Sequence, residues 1–76
     1  MGEQLTFSLT LHEEELEGKN VFVANCIELG VSDFGDSIDE AIGNLKNGIS
    51  LLLEEVPEKK RLLQKNEPVF VTRVAL

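Results

Sequence analysis

Gly35-Asp36-Ser37-Ile38-Asp39-Glu40-Ala41-Ile42 is the point at which the chain changes from one structural period to another. Ser37 followed three residues later by Glu40 fits a capping box. In the expected cap the serine hydroxyl accepts from the Glu40 amide, and the Glu40 carboxylate is expected to reach back to the Ser37 amide. Asp36, Asp39 and Glu40 also bring negative charge to the positive end of a helix. Beyond the cap, Ile38, Ala41, Ile42, Leu45, Ile49, Leu52, Leu53 and Val56 recur at spacings of three and four, one helical stripe. Pro57 bounds the helix, because a residue before proline is pushed away from helical angles. Gly43 and Gly48 lower helix propensity, so at least one of them is expected to permit close packing on a sheet.

Before this point the period is two. Leu5, Phe7, Leu9 and Leu11 alternate with Thr6, Ser8, Thr10 and His12, predicting a strand over 5–12. Glu13 to Asn20 holds four glutamates, a glycine and an asparagine, and is expected to be a solvated connection. Val21 to Cys26 is the second strand, with Phe22, Ala24 and Cys26 on one face and Val21, Val23 and Asn25 on the other. Apolar residues on both faces suit a central strand or one that meets a partner. A short third strand is expected near 31–34. After the helix, 58–65 suits a short second helix with Leu62 and Leu63 inward, and Val69 to Val74 a final strand.

The expected fold class is therefore α+β: a three-stranded antiparallel meander backed by one long helix, in the order β-β-β-α-(α)-β. All 76 residues are expected to form a single domain. A chain of this size buries only about 60% of the surface its unfolded form exposes, so its core is thin. Cys26 is the only cysteine and His12 the only histidine, which leaves no internal disulfide and no Cys/His metal site. Oligomerisation is the natural supplement, so a homodimer or higher homo-oligomer is expected.

Charge narrows the function further. Fourteen acidic residues face seven basic ones, a net charge of -7. Free-standing nucleic-acid binding needs a basic surface, whereas an acidic one suits a basic protein partner. No basic segment followed by an apolar run opens the chain, and the longest apolar run is Val21-Phe22-Val23-Ala24. No membrane span or secretory signal is expected, and a cytoplasmic location is the simplest.

The segment from Cys26 to Ile42 resembles the HicB antitoxin family. That family runs Ala-x-Cys-Pro-Glu-Leu, a turn and short strand, then Gly-Asp-Thr-x-x-Glu-Ala at the helix start. Ala24, Cys26, Glu28 and Leu29 match the first part; Gly35, Asp36, Ser37, Glu40 and Ala41 match the second, with Asn44 at a common helix position. The flanking strands are in register, so the resemblance covers nearly the whole chain. Ile27 replaces the usual proline, and the turn before Val31 is one residue shorter than in many members. The resemblance implies a partial RNase H-like fold and a non-catalytic antitoxin without cofactor or metal. The implied partner is a small basic HicA-type mRNA interferase, bound over its active site. Many members also carry a DNA-binding extension; it is not among these residues, and no direct DNA binding is expected of this chain.

The candidate contact residues are Glu13, Glu14, Glu15 and Glu17 in the acidic stretch and Val21 and Val23 on the uncovered sheet face. Each has a plainer reading: the glutamates as a solvated connection, the valines as a self-association surface shared with Val69 and Val71. Asp36, Ser37 and Glu40 are assigned to the helix cap. A carboxylate cluster of Asp33, Asp36, Asp39 and Glu40 would allow a minimal metal-dependent nuclease, but capping accounts for most of it. Cys26 reads as a buried thiol and His12 as a surface residue, neither with an evident catalytic neighbour. Lys59, Lys60, Arg61 and Lys65 form the one basic cluster, suited to an exposed helix face. The alternative functions are an orphan self-associating regulatory module and, further off, that nuclease.

Overall fold

The computed structural model describes residues 5–64 and 74–75. Three strands, β1 (Leu9–Leu16), β2 (Lys19–Cys26) and β3 (Val31–Gly35), form an antiparallel sheet in the order β1-β2-β3. The long helix α1 (Ile38–Glu55) follows, then a 3-10 turn over Pro57–Lys59 and the short helix α2 (Lys60–Gln64). The class is α+β, as the two periods in the sequence require. The final strand expected over 69–74 lies outside the described residues except for its last position.

The first hairpin differs from its expected form. Leu16 pairs with Lys19, so only Glu17 and Gly18 connect β1 to β2. Both have positive φ, 53° and 79°, as a type I′ turn requires. The expected solvated connection over 13–20 is therefore mostly strand: Glu13 faces Phe22, Glu14 faces Val21 and Glu15 faces Asn20. The strand predicted over 5–12 begins at Leu9 instead. Its first two apolar residues, Leu5 and Phe7, still pack on the core from an irregular segment. Apolar alternation marked burial here, while backbone pairing and the turn set the strand limits.

The core is a line drawn along α1 over β2. Ala24 and Cys26 meet Ala41, Leu45 and Ile49, with Leu63 of α2 closing one end. Leu9, Phe22, Leu29, Val31 and Leu53 pack around them. The helix stripe is thus realised, although Ile38 at its start is 45% exposed. Leu11 was expected to be buried with Leu9 but is 40% exposed, because it lies farther along the hairpin. In α2 Leu63 turns inward, whereas Leu62 is 38% exposed.

Both ends of α1 follow their local chemistry. Ser37 has extended backbone angles, and its hydroxyl accepts from the Glu40 amide at 3.1 Å. The reciprocal bond from the Ser37 amide to the Glu40 carboxylate is not found among the described residues. At the other end Val56 has φ -132° and ψ 75°, outside the helical region, and donates to the Leu52 carbonyl at 2.8 Å. Proline at position 57 explains the departure.

The glycine essential to packing is not on the helix. A Cβ at Gly43 or Gly48 meets nothing within 4 Å, which overturns the expected close packing there. A Cβ at Gly35 falls 2.6 Å from the Ala41 nitrogen and 2.9 Å from the Glu40 Cβ. Gly43→Ala and Gly48→Ala are each expected to stabilise the protein by about 0.5–1 kcal/mol, since only helix propensity changes. Gly35→Ala is expected to cost about 1–3 kcal/mol, because backbone must move to admit a methyl group. Urea denaturation of the three variants measures all three signs.

Candidate functional site

Among the described residues the sheet has one face under α1 and one face left open. Cross-strand pairs place His12, Glu14 and Leu16 of β1 beside Val23, Val21 and Lys19 of β2. On the other side of β2, Val23 pairs with Phe34 and Asn25 with Ser32. Apart from Lys19, these residues border an open depression on the face away from the helix. Val21 was expected to be exposed there, but it is only 5% exposed and Val23 is half-buried. The apolar residues that stand out are Leu16, 49% exposed, and Phe34, 52% exposed. Neither was among the residues singled out from the sequence. Recognising the Glu17-Gly18 turn would have found Leu16, since a two-residue loop puts it in register with Lys19, two pairs from Val21 and on the same face.

The acidic candidates occupy the outer end of the hairpin. Glu13, Glu14, Glu15 and Glu17 are all exposed. Alternation divides them: Glu13 shares the face of Phe22, Glu14 the face of Val21. Glu14 also receives His12 Nε2 at 2.8 Å in an exposed pair. The nearby cation, Lys19, is committed to Asp36 at 2.9 Å, and its pKa is raised mainly by that hydrogen bond and then by the charge of Asp36. Both partners are well exposed, so the pair adds little stability. The hairpin end therefore presents carboxylates on both faces while its lysine is occupied.

The residues assigned to the cap divide their roles. Ser37 caps α1, Glu40 supplies the capped amide and sits in the first turn with Asp39, and Asp36 holds Lys19. Asp33 Oδ1 accepts from the Phe34 amide at 2.8 Å. Among the described residues no group of three or more His, Cys, Asp or Glu side chains is placed to hold a metal ion. No helix of the described residues is long and apolar enough to cross a membrane. Lys59, Lys60 and Arg61 lie on the 3-10 turn and α2, whereas Lys65, Val69 and Val71 fall outside the described residues.

Glu28 has a role that no local pattern announces. Its two carboxylate oxygens accept from the Ser8 amide at 2.8 and 3.0 Å, across twenty residues of sequence. The Ile27 amide donates back to the Ser8 carbonyl at 3.0 Å, so the segment before β1 is tied to the end of β2 from both directions. Cys26 is 1% exposed, and its Sγ approaches Glu28 Oε1 at 3.9 Å. Burial, with the neighbouring carboxylate, raises the thiol pKa, which keeps the sulfur protonated and a poor nucleophile. For Glu28, burial alone raises the carboxyl pKa. The Ser8 and Glu28 amides, the Ser8 hydroxyl and the Cys26 thiol outweigh it and hold the pKa below its usual value. Asn44 adds a third tie, donating Nδ2 to the Phe34 carbonyl at 2.9 Å and joining α1 to β3.

Comparison with protein-family models, with curated proteins and with solved structures finds no significant match to this chain.

A carboxyl group whose pKa falls on folding stabilises the protein while ionised. That contribution is present above the unfolded value of about 4.3 and is lost as pH drops through the lower folded value. Glu28→Gln is expected to cost about 1–2 kcal/mol at pH 7, through the weakened bond to the Ser8 amide. The variant is also expected to lose less stability than the parent chain between about pH 5 and 3. Urea midpoints across that range, with Glu28→Gln beside the parent, measure both effects.

Proposed function

We propose that this chain is a HicB-like antitoxin: a non-catalytic binding module that neutralises a small basic ribonuclease of the HicA type by covering its active site. The observation that carries the reading is the acidic end of the first hairpin. Four exposed glutamates project there from a paired, register-fixed ribbon. One of them, Glu17, occupies a left-handed turn position where Asn, Asp or Gly is favoured. A paired acidic ribbon suits steric and electrostatic occlusion of a basic cleft, because the strand register sets which face each charge takes.

The residues that carry the HicB resemblance also form one connected assembly. Ala24 and Cys26 supply the sheet side of the core, Glu28 ties the first segment to it, and Gly35, Ser37 and Ala41 seat the helix. This supports the resemblance as a consistent set of positions beyond a capped helix alone. The reading assigns no reaction to the chain and places it in the cytoplasm beside its target.

Co-expression with any small basic protein encoded beside it is the direct test. A stable complex that relieves translational arrest is expected. The combined Glu13→Lys, Glu15→Lys and Glu17→Lys variant is expected to bind about tenfold or more weakly at low salt, with a smaller loss at high salt. Absence of any complex with such a protein would defeat the reading.

A further inference from the structure

The open sheet face combines three features that one kind of occupant satisfies. Its floor is apolar, with Val21 and half-buried Val23. Its rim carries an exposed aromatic ring, Phe34, and the Glu14 carboxylate. Among the described residues no lysine or arginine borders it, and the ammonium of neighbouring Lys19 pairs with Asp36.

We infer that this face docks an extended segment of a basic protein in which arginine or lysine alternates with apolar residues. The aliphatic stem of a long cationic side chain covers Val21 and Val23 while its head stays at the rim. There the head pairs with Glu14, displacing His12, and lies against the Phe34 ring. Other occupants meet a cost at the same groups. A wholly apolar segment would strip water from the Glu14 carboxylate without replacing it. A second copy would bring another net charge of -7 and a second Glu14 to the same place. A nucleic acid would set phosphates against the Glu14 carboxylate. The choice of a basic protein rests on the antitoxin reading, but the face can be tested without that protein.

The test is a nitrogen-15 NMR titration of the full 76-residue chain with the peptide acetyl-Arg-Val-Arg-Val-Arg-Val-amide. Saturable shifts are expected at the amides of His12, Val23, Asn25 and Phe34. Glu14→Gln and Phe34→Leu are each expected to weaken the peptide about three- to tenfold, with folding confirmed by the unchanged spectrum elsewhere. Glu55→Gln, an exposed carboxylate of α1 on the other side of the sheet, is expected to leave affinity within about twofold. Shifts confined to the Glu17-Gly18 turn, or equal affinity in the Glu14 and Phe34 variants, would overturn the inference. So would cross-peaks placing residues 65–76 over the face, or a dimer that buries it. Peptide binding here without a complex in co-expression would defeat the antitoxin reading alone. A complex that is indifferent to Glu14→Gln and Phe34→Leu would defeat this docking face alone.

Discussion

The close approach of the helix to the end of the third strand is the contact on which the rest of the structure depends. Only a hydrogen fits at Gly35, because a methyl group there would meet the Ala41 nitrogen at 2.6 Å. The approach fixes both the height and the starting point of α1 above the sheet. Ser37 follows two residues later and caps the helix at once. Ala24 and Ala41 are both fully buried, small enough to let β2 and α1 lie close together. Leu45 and Ile49 then fall one and two turns farther on and extend the contact along β2. A core this narrow has few places to absorb a misplaced helix, so one glycine has disproportionate weight.

The helix was legible because each of its determinants is local. Ser37 and Glu40 lie three residues apart, the stripe repeats every three or four, and Pro57 acts on its immediate neighbour. The hairpin was less legible because its determinants lie across strands. Glu13, Glu14 and Glu15 carry no apolar signal, yet their backbones pair in register with Phe22, Val21 and Asn20. Glu17-Gly18 is also a weaker turn signal than Asn-Gly or Asp-Gly. The glycines show the same division. Gly43 and Gly48 attract notice because they interrupt a helix, but the steric constraint sits at Gly35, whose neighbour is set by tertiary packing. Glu28 was legible as part of a resemblance and not as a bond, since its partner amide at Ser8 is twenty residues away.

The candidate site divides in the same manner. The acidic residues were visible as composition, but their distribution over two faces followed only from the register. Val21 and Val23 were correctly placed opposite Phe22 and Ala24, while the burial of Val21 was not expected. Leu16 and Phe34, the exposed apolar residues beside them, belong to strands whose limits or pairing had to be seen first. A binding surface on a sheet is assembled from several strands, so no single stretch of sequence displays it.

The carboxylates of this chain fall into groups with different physical obligations. Asp36, Asp39 and Glu40 surround a helix N-terminus, where partial positive charge favours them. Glu28 is held by backbone and side-chain donors and ties two segments together. Glu13, Glu15 and Glu17 take no side-chain hydrogen bond or ion pair among the described residues. They crowd like charge onto a narrow ribbon, which opposes folding slightly, and Glu17 does so from a left-handed conformation that glycine or asparagine would adopt at lower energy. Capping, packing and the turn itself leave these charges unexplained. A basic surface brought against the ribbon would convert the same crowding from a small cost in the free chain into favourable pairing in the complex. The uneven placement of the -7 net charge, more than its size, is therefore what directs the functional reading toward a basic protein.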